Sequence, residues 1–349
     1  MRCAVVGAGI AGLAVARELQ DRGVEVVVLE RTGVAAGASG VQPGGVRRQW
    51  GTRIACRLAS ESVRFWTDVG ERLDSRVRLD FQRCGYLFVA HTDATLDRLR
   101  ANVALQNEEG VPSRIVTPDE AAQLVPGLQP DELAGGAWCA DDGYFDRPQA
   151  VVEAFAAGID VRHHHVRSVT RLATGWRVDD IDADVVVVAA GVDSRHLLPG
   201  LPLEPEERHL FLSDPIQERL LEPLVVAPEL AFAAKQLAAG RVLASDLSGQ
   251  SRDRIREAIR RLLPRLEYVS FTVPVAGVYD VTPDHQPLLG PVDDGLYVAC
   301  GFSGHGFMIA PAVARITADA VLGRRDEALD VLGPDRFERG RPVPEPQLV

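Results

Sequence analysis

Lysine is almost missing from these 349 residues: Lys235 is the single one among 38 basic side chains, the rest being arginine. GC-rich coding accounts for such a bias, so the shortage excludes no function, but it singles out the one lysine that was kept. Cysteine is sparse too. Cys3, Cys56, Cys84, Cys139 and Cys300 are odd in number and show no CxxC or zinc spacing, which argues against a disulfide framework and for reduced thiols in a cytoplasm. No apolar run reaches the roughly 18 residues that suggest a membrane span. The apolar stretch from Cys3 to Leu19 is broken by three glycines and carries Arg17 and Glu18, unlike a signal peptide. Excess positive charge is also lacking, and a net charge of −11 argues against general binding to nucleic acid or anionic membranes. A metal site is not expected either: His163, His164 and His165 are consecutive, and neighbouring strand residues point to opposite faces.

What remains is an ordinary globular composition, 46% hydrophobic and 25% charged, in a chain long enough for two domains sharing an interface. Apolar runs at Arg2 to Val6 and Val24 to Leu29 flank a glycine turn and a helically spaced segment, Leu13 to Arg22. Strand, turn, helix and strand in that order predict a parallel crossover opening a doubly wound sheet. The β-branched run from Asp184 to Ala189 (DVVVVA) predicts another strand buried on both faces. Farther along, the spacing predicts strands over Tyr86–Ala90, Ala137–Phe145, Ile159–Val169, Trp176–Val178 and Leu296–Ala299. Helices are predicted over Ile54–Trp66, Leu96–Gln106, Pro148–Ala157, Arg252–Leu263 and Ala310–Leu322, and Thr117 with Glu120 forms a capping box. The stretch Leu210 to Thr272 reads as an antiparallel layer, and the Pro- and Arg-rich tail from Gly333 as a surface strap.

The sequence VVGAGIAGL puts Gly7, Gly9 and Gly12 in a GxGxxG pattern directly after a strand and before a helix. Gly7 permits the tight turn, Gly9 lets the backbone approach a pyrophosphate, and Gly12 lets the helix pack closely on the sheet. The helix N-terminus offers N–H groups and a positive dipole end to the phosphates. Glu30 ends the second strand where an acid binds the ribose hydroxyls of an adenine dinucleotide, and its charge disfavours the extra phosphate of NADP.

Four segments in this order, VVGAGIAGL (Val5 to Leu13), GASGVQPGGVRRQW (Gly37 to Trp50), DVVVVAAG (Asp184 to Gly191) and TPDHQPLLG followed by GFSGHGFM (Thr282 to Gly290, Gly301 to Met308), resemble the FAD-dependent oxidoreductases of the D-amino-acid oxidase type. That group holds glycine oxidase, monomeric sarcosine oxidase and many amine dehydrogenases. The resemblance implies an α/β fold with a discontinuous Rossmann-like FAD domain (1–78, 146–205 and 281–340), a substrate domain with a mostly antiparallel sheet (79–145 and 206–280) and a tail (341–349). The cofactor contacts it implies are Gly7, Ala8, Gly9, Ile10, Ala11, Gly12, Glu30 and Arg31, then Ala38, Ser39, Gly44, Gly45 and Val46. It adds Val166, Ala190, Gly191 and Gly277, and the run Gly301, Phe302, Ser303, Gly304, His305, Gly306, Phe307 and Met308.

Departures from the family pattern are informative. Gly277 stands where sarcosine oxidase has the cysteine that holds FAD covalently, so noncovalent FAD is expected. Met308 stands where that family has a lysine for the substrate carboxylate, and a second lysine, tied to oxygen reactivity, aligns near Leu243. The resemblance therefore leaves oxidase and dehydrogenase both open, with oxygen or another acceptor.

At the substrate end, Arg47 matches an arginine that grips the substrate carboxylate, a task its planar fork suits, although Arg48 beside it and a plain salt bridge are rival readings. Tyr279 matches an aromatic position facing the flavin and is otherwise a core tyrosine. His305 is a donor within the turn or a histidine satisfying backbone. Lys235 is a candidate catalytic ammonium on one arm of a hairpin. The implied reaction is hydride transfer from the carbon of a small amine or amino acid, primary or N-alkylated, to flavin N5, giving an imine. A 2-hydroxy-acid dehydrogenase and an FAD-carrying subunit of a larger electron-transfer complex are the alternatives. An NAD-dependent dehydrogenase ranks below them, because nothing reads as a separate nicotinamide site.

Overall fold

Four consecutive valines, Val185–Val188, are all buried, and a strand apolar on both faces must lie inside a sheet covered on both sides. In the computed structural model, which describes residues 1–346, this strand pairs in parallel with Arg2–Val6 on one side and Leu296–Cys300 on the other. Arg2–Val6 continues in parallel to Glu25–Glu30, which pairs with Asp160–His163. Leu288–Asp293 closes the opposite edge antiparallel to Leu296–Cys300. The pieces of this six-stranded sheet are thus scattered over the chain, as a discontinuous domain requires.

Strand alternation sorts the side chains of the sheet into two cores. Cys3, Val5, Val26, Val28, Val185 and Val187 face the helices Ile10–Asp21, Arg53–Thr67, Pro148–Ala156 and Gly306–Val321. Ala4, Val6, Val27, Leu29, Val186 and Val188 face the small antiparallel sheet of Val169–Arg171, Trp176–Val178 and Ile181–Ala183.

The second layer is an eight-stranded sheet containing Phe271–Val281, Glu204–Pro215, Arg241–Asp246, Phe232–Gln236, Leu224–Ala227, Tyr86–Ala90, Gly135–Cys139 and Arg114–Val116 in that spatial order. Every pairing in it is antiparallel except Leu224–Ala227 with Tyr86–Ala90. Helix Arg252–Leu262 buries Ile255, Ala258, Ile259 and Leu262 against it, an i, i+3, i+4, i+7 stripe, and Ser251 caps its start by accepting from Arg254 N–H. The capping box at Thr117 and Glu120 is present with both hydrogen bonds made. A three-stranded sheet of Gly45–Val46, Gly143–Phe145 and Phe81–Gln82 lies where the two layers meet.

Three elements differ from the sequence reading. The segment Ile159 to Val169 splits into Asp160–His163 and Val169–Arg171, which belong to different sheets. Asp179 fixes the break by accepting from the N–H groups of Arg167 and Ser168 and bonding the His164 ring. Ala137 to Phe145 likewise divides into Gly135–Cys139 and Gly143–Phe145. The tail runs exposed over residues 338–342 but is pinned at Arg336 and Glu345, which are buried because each finds charged or backbone partners inside. The tail's last residues, 347–349, lie outside the described residues.

Candidate functional site

Where the parallel strands end, they leave a cleft of about 880 Å³, bounded on its far side by the edge strand Phe271–Val281. Cofactor pockets span roughly 300 to 1,000 Å³. At one end Gly7, Gly9, Ile10 and Ala11 form the wall. Gly7 adopts φ +107°, and a Cβ there would overlap the Ala189 carbonyl of the neighbouring strand; a Cβ on Gly12 would overlap the Gly7 carbonyl oxygen. Strand and helix therefore meet backbone to backbone, and Gly12 sits behind the wall holding that contact. Ile10 N–H donates to Ser39 Oγ at 2.9 Å, which draws the second glycine-rich loop onto the cradle.

Glu30 lines the same end. Its carboxylate accepts from Ala8 N–H at 2.9 Å, Thr32 N–H at 2.8 Å and Thr32 Oγ at 2.9 Å. Burial works to raise its pKa, but these donors outweigh it and hold the group below the usual range. Glu30 is thus anionic at neutral pH, as a ribose-hydroxyl acceptor must be. Arg31 lines the rim and pairs with Asp193 at 2.7 Å. Ala38, Ser39, Val166, Ala190 and Gly191 also face the cleft, whereas the Ala8 side chain does not.

The other end is the turn Gly301 to Phe307. Ser303 N–H donates to the Asp280 carbonyl at 3.0 Å, and Gly301 N–H to Asp280 Oδ2 at 2.6 Å. Gly304 has φ +88°, and a Cβ on it would run into the Tyr279 ring. The turn is thin because an aromatic ring already fills the space beside it. Phe302, Gly304, Gly306 and Phe307 face the cleft together with Gly277 and Tyr279, so the N-terminal end of helix Gly306–Val321, with its positive dipole, opens onto it.

Several anticipated contacts are not on this wall. Gly301, Ser303, His305 and Met308 turn to its back, Gly45 and Val46 sit in the three-stranded sheet, and Gly44 just precedes that strand. A Cβ on Gly44 would overlap the Phe145 carbonyl, and one on Gly45 would press on the Tyr86 hydroxyl, so these glycines serve strand packing. Sequence reasoning missed Thr32, Gln42, His165, Arg167, Asp193 and Asp280, which line the cleft. Each stands within three residues of a named position, Arg31, Ser39, Val166, Gly191 or Tyr279, so adjacency was the available signal. Burial, opposed by backbone donors, pushes the Asp280 carboxyl up to about 6.

Of the four residues expected at the substrate end, only Tyr279 lines the cleft. Arg47 is fully buried, its guanidinium 3.7 Å from the Trp50 ring centre and 5.2 Å from that of Phe88, and it donates to the Gln49 carbonyl. Trp50 in turn stands edge-on to His305 at 4.4 Å. Burial, followed by the positive charge of Arg47, holds the His305 pKa well below its ordinary value, so the ring is neutral. Lys235 lies between layers, donating to the Phe145 carbonyl at 2.9 Å and standing 4.0 Å from the Tyr144 ring centre. Among the described residues no group of three His, Cys, Asp or Glu converges as a metal site, and no helix is long and apolar enough to cross a membrane.

The cleft fits FAD: a carboxylate at one end, peptide N–H groups at a helix start, and at the other a glycine turn packed so tightly on the Tyr279 ring that no side chain fits at Gly304. Residues 2–320 match the family model described as FAD dependent oxidoreductase. FAD-dependent oxidoreductase domain-containing protein 1 of Bos taurus is 26% identical across 96% of this chain and 84% of its own length. L-proline dehydrogenase from P. horikoshii superposes with a TM-score of 0.89 at 26% identity, covering 97% of this chain and 98% of that one. Glycine oxidase from Geobacillus kaustophilus gives a TM-score of 0.84 at 24% identity, covering 93% and 96%. A match that runs through both glycine turns and through the sheets that carry them makes this chain a member of the DAO family of FAD dependent oxidoreductases.

Proposed function

We propose that this flavoprotein oxidises a small amine or amino acid, primary or N-alkylated, at its C–N bond to an imine, using noncovalently held FAD. The observation that carries the reading is the Tyr279-backed glycine turn at the far end of the cleft, where a flat ring can lie against backbone beside an aromatic side chain. Relatives whose names state C–N substrates support the class: glycine oxidase, L-proline dehydrogenase and 4-methylaminobutanoate oxidase of Paenarthrobacter nicotinovorans. The last of these is more than twice as long as its matched region, this chain spanning 45% of it.

Bound FAD supplies the hydride acceptor. The chain's own residues bind and orient: Glu30 holds the ribose end, the Gly7–Ile10 backbone meets the pyrophosphate, and Phe302, Phe307 and Tyr279 keep water from the ring end. Two positions support noncovalent attachment. Gly277 faces Val41 and offers no nucleophile, and Cys300 beside the turn is buried, with its thiol pushed far up by that burial. Leu243 is buried in the substrate sheet and Met308 in the helix core. Leu243 offers no ammonium at the position tied to oxygen reactivity, which favours an acceptor other than oxygen, and Met308 offers none to a substrate carboxylate.

Anaerobic mixing of the holoprotein with a panel of amino acids and N-methyl amines should bleach the visible flavin band with at least one of them. Bleaching by 2-hydroxy acids alone would transfer the protein to the alternative class. Reoxidation by an artificial acceptor should outpace reoxidation by oxygen.

A further inference from the structure

The family match ends at residue 320, yet the chain beyond it is built into the site. Arg336 is 2% exposed and Asp284 1%. The guanidinium meets both carboxylate oxygens at 2.8 Å, and its remaining hydrogens go to the carbonyls of Gln286, Pro287 and Leu332 at 2.9 to 3.1 Å. A buried ion pair is favourable only when every donor and acceptor is met in this way. Val343 N–H then donates to Asp284 Oδ2 at 3.0 Å and Glu345 N–H to the Asp284 carbonyl at 3.0 Å.

Glu345 carries the chain onward to a second loop. Its carboxylate accepts from Gly51 N–H at 2.7 Å, Thr52 Oγ at 2.7 Å and Gln286 Nε2 at 3.4 Å, and Pro346 packs on Gly51. Gly51 directly follows Trp50, which stands edge-on to His305 and carries the Arg47 guanidinium over its ring. On the other side, Thr282 N–H donates to Ser303 Oγ at 3.2 Å, so the Thr282–Pro287 turn is tied to the Gly301–Phe307 turn.

We infer that residues 333–346 form a clamp that positions the Gly301–Phe307 turn against the Arg47–Trp50 loop, with Arg336 and Glu345 as its positioning residues. The inference rests on the reading of that turn as the flavin's contact. The bonds run to two backbone turns and not to the sheets, so loosening the clamp releases the turns while both sheets stay formed.

The test uses the full chain with Arg336→Met, Glu345→Ala and Glu345→Gln. Hydrogen exchange of the FAD-free protein is followed by mass spectrometry, and FAD affinity by quenching of FAD fluorescence. Glu345→Ala should speed exchange in the 301–307 segment by about tenfold while the strands Arg2–Val6 and Val185–Val188 keep their protection. It should also weaken FAD binding by about tenfold or more, since it strands buried donors. Glu345→Gln should recover part of both, because its amide oxygen still accepts. Unchanged exchange at 301–307 in Glu345→Ala, or a rise spread evenly over the whole chain, overturns the clamp. Should Arg336→Met fail to fold, the Glu345 variants decide. If FAD gives wild type no protection at 301–307, the flavin assignment of the turn falls, while the exchange of the FAD-free variants still judges the clamp.

Discussion

Lys235 and Arg47 are two basic side chains held in the interior, and neither stands on the wall of the cleft. Lys235 donates to a carbonyl and meets a tyrosine face; Arg47 donates to a carbonyl and lies over a tryptophan face. Burial lowers the Lys235 pKa from 10.5 to about 7, offset in part by Asp146. Above pH 7 the folded chain therefore releases a proton that the unfolded chain keeps until about 10.5, so this group makes stability rise with pH across that window. Below pH 7 both states are charged and the cost of burying the ammonium is complete. Lys235→Met should consequently gain most, on the order of a few kcal/mol relative to its standing at alkaline pH, when urea denaturation is run near pH 6. A difference between variant and wild type that stays flat from pH 6 to 9.5 would show that the lysine is charged when folded.

Among elements, the helix Gly306–Val321 matters most, because it begins in the glycine turn and carries Pro311 in its interior. A proline there removes an N–H and crowds the carbonyl four residues back. The helix Arg53–Thr67 repairs the damage: Ser62 Oγ accepts from Ala312 N–H at 3.2 Å, and Trp66 Nε1 donates to the Met308 carbonyl at 2.9 Å. Trp66 also stacks on Phe307, 5.1 Å between ring centres, and Phe307 lines the cleft. Trp66→Phe keeps an aromatic ring but takes away the donor, and should destabilise the protein by about 1 to 3 kcal/mol in urea denaturation. FAD binding should weaken with it, since the same contact sets the start of the helix; unaltered affinity would separate the helix kink from the site.

For the whole molecule, the cleft lies between the C-terminal edge of one sheet and the edge strand of another, so bound FAD ties both layers together. FAD at a hundredfold excess over its dissociation constant should stabilise the folded chain by about 2.7 kcal/mol, seen as a higher melting temperature. Acid precipitation should leave the yellow colour in the supernatant; flavin that stays with the pellet would contradict the reading of Gly277 as noncovalent.

The sequence by itself determined the cradle and the sheet around it. The functions of Gly12 and Glu30 depend on neighbours within one strand–helix–strand unit, and Val185–Val188 announces a doubly covered strand by composition alone. Local chemistry also revealed the Thr117 capping box and the amphipathic helix over Arg252–Leu262. Tertiary structure decided the rest. Asp280 enters the cleft only because Phe271–Val281 is the edge strand beside the glycine turn. Arg336 and Glu345 look like surface charges in a Pro-rich tail, and their burial depends on Asp284 and Gly51, some 50 and 300 residues away in the chain. Whether a charge sits in solvent or in the interior is set by partners that chain spacing does not reveal, whereas Gly12 and Glu30 meet partners from their own strand–helix–strand unit.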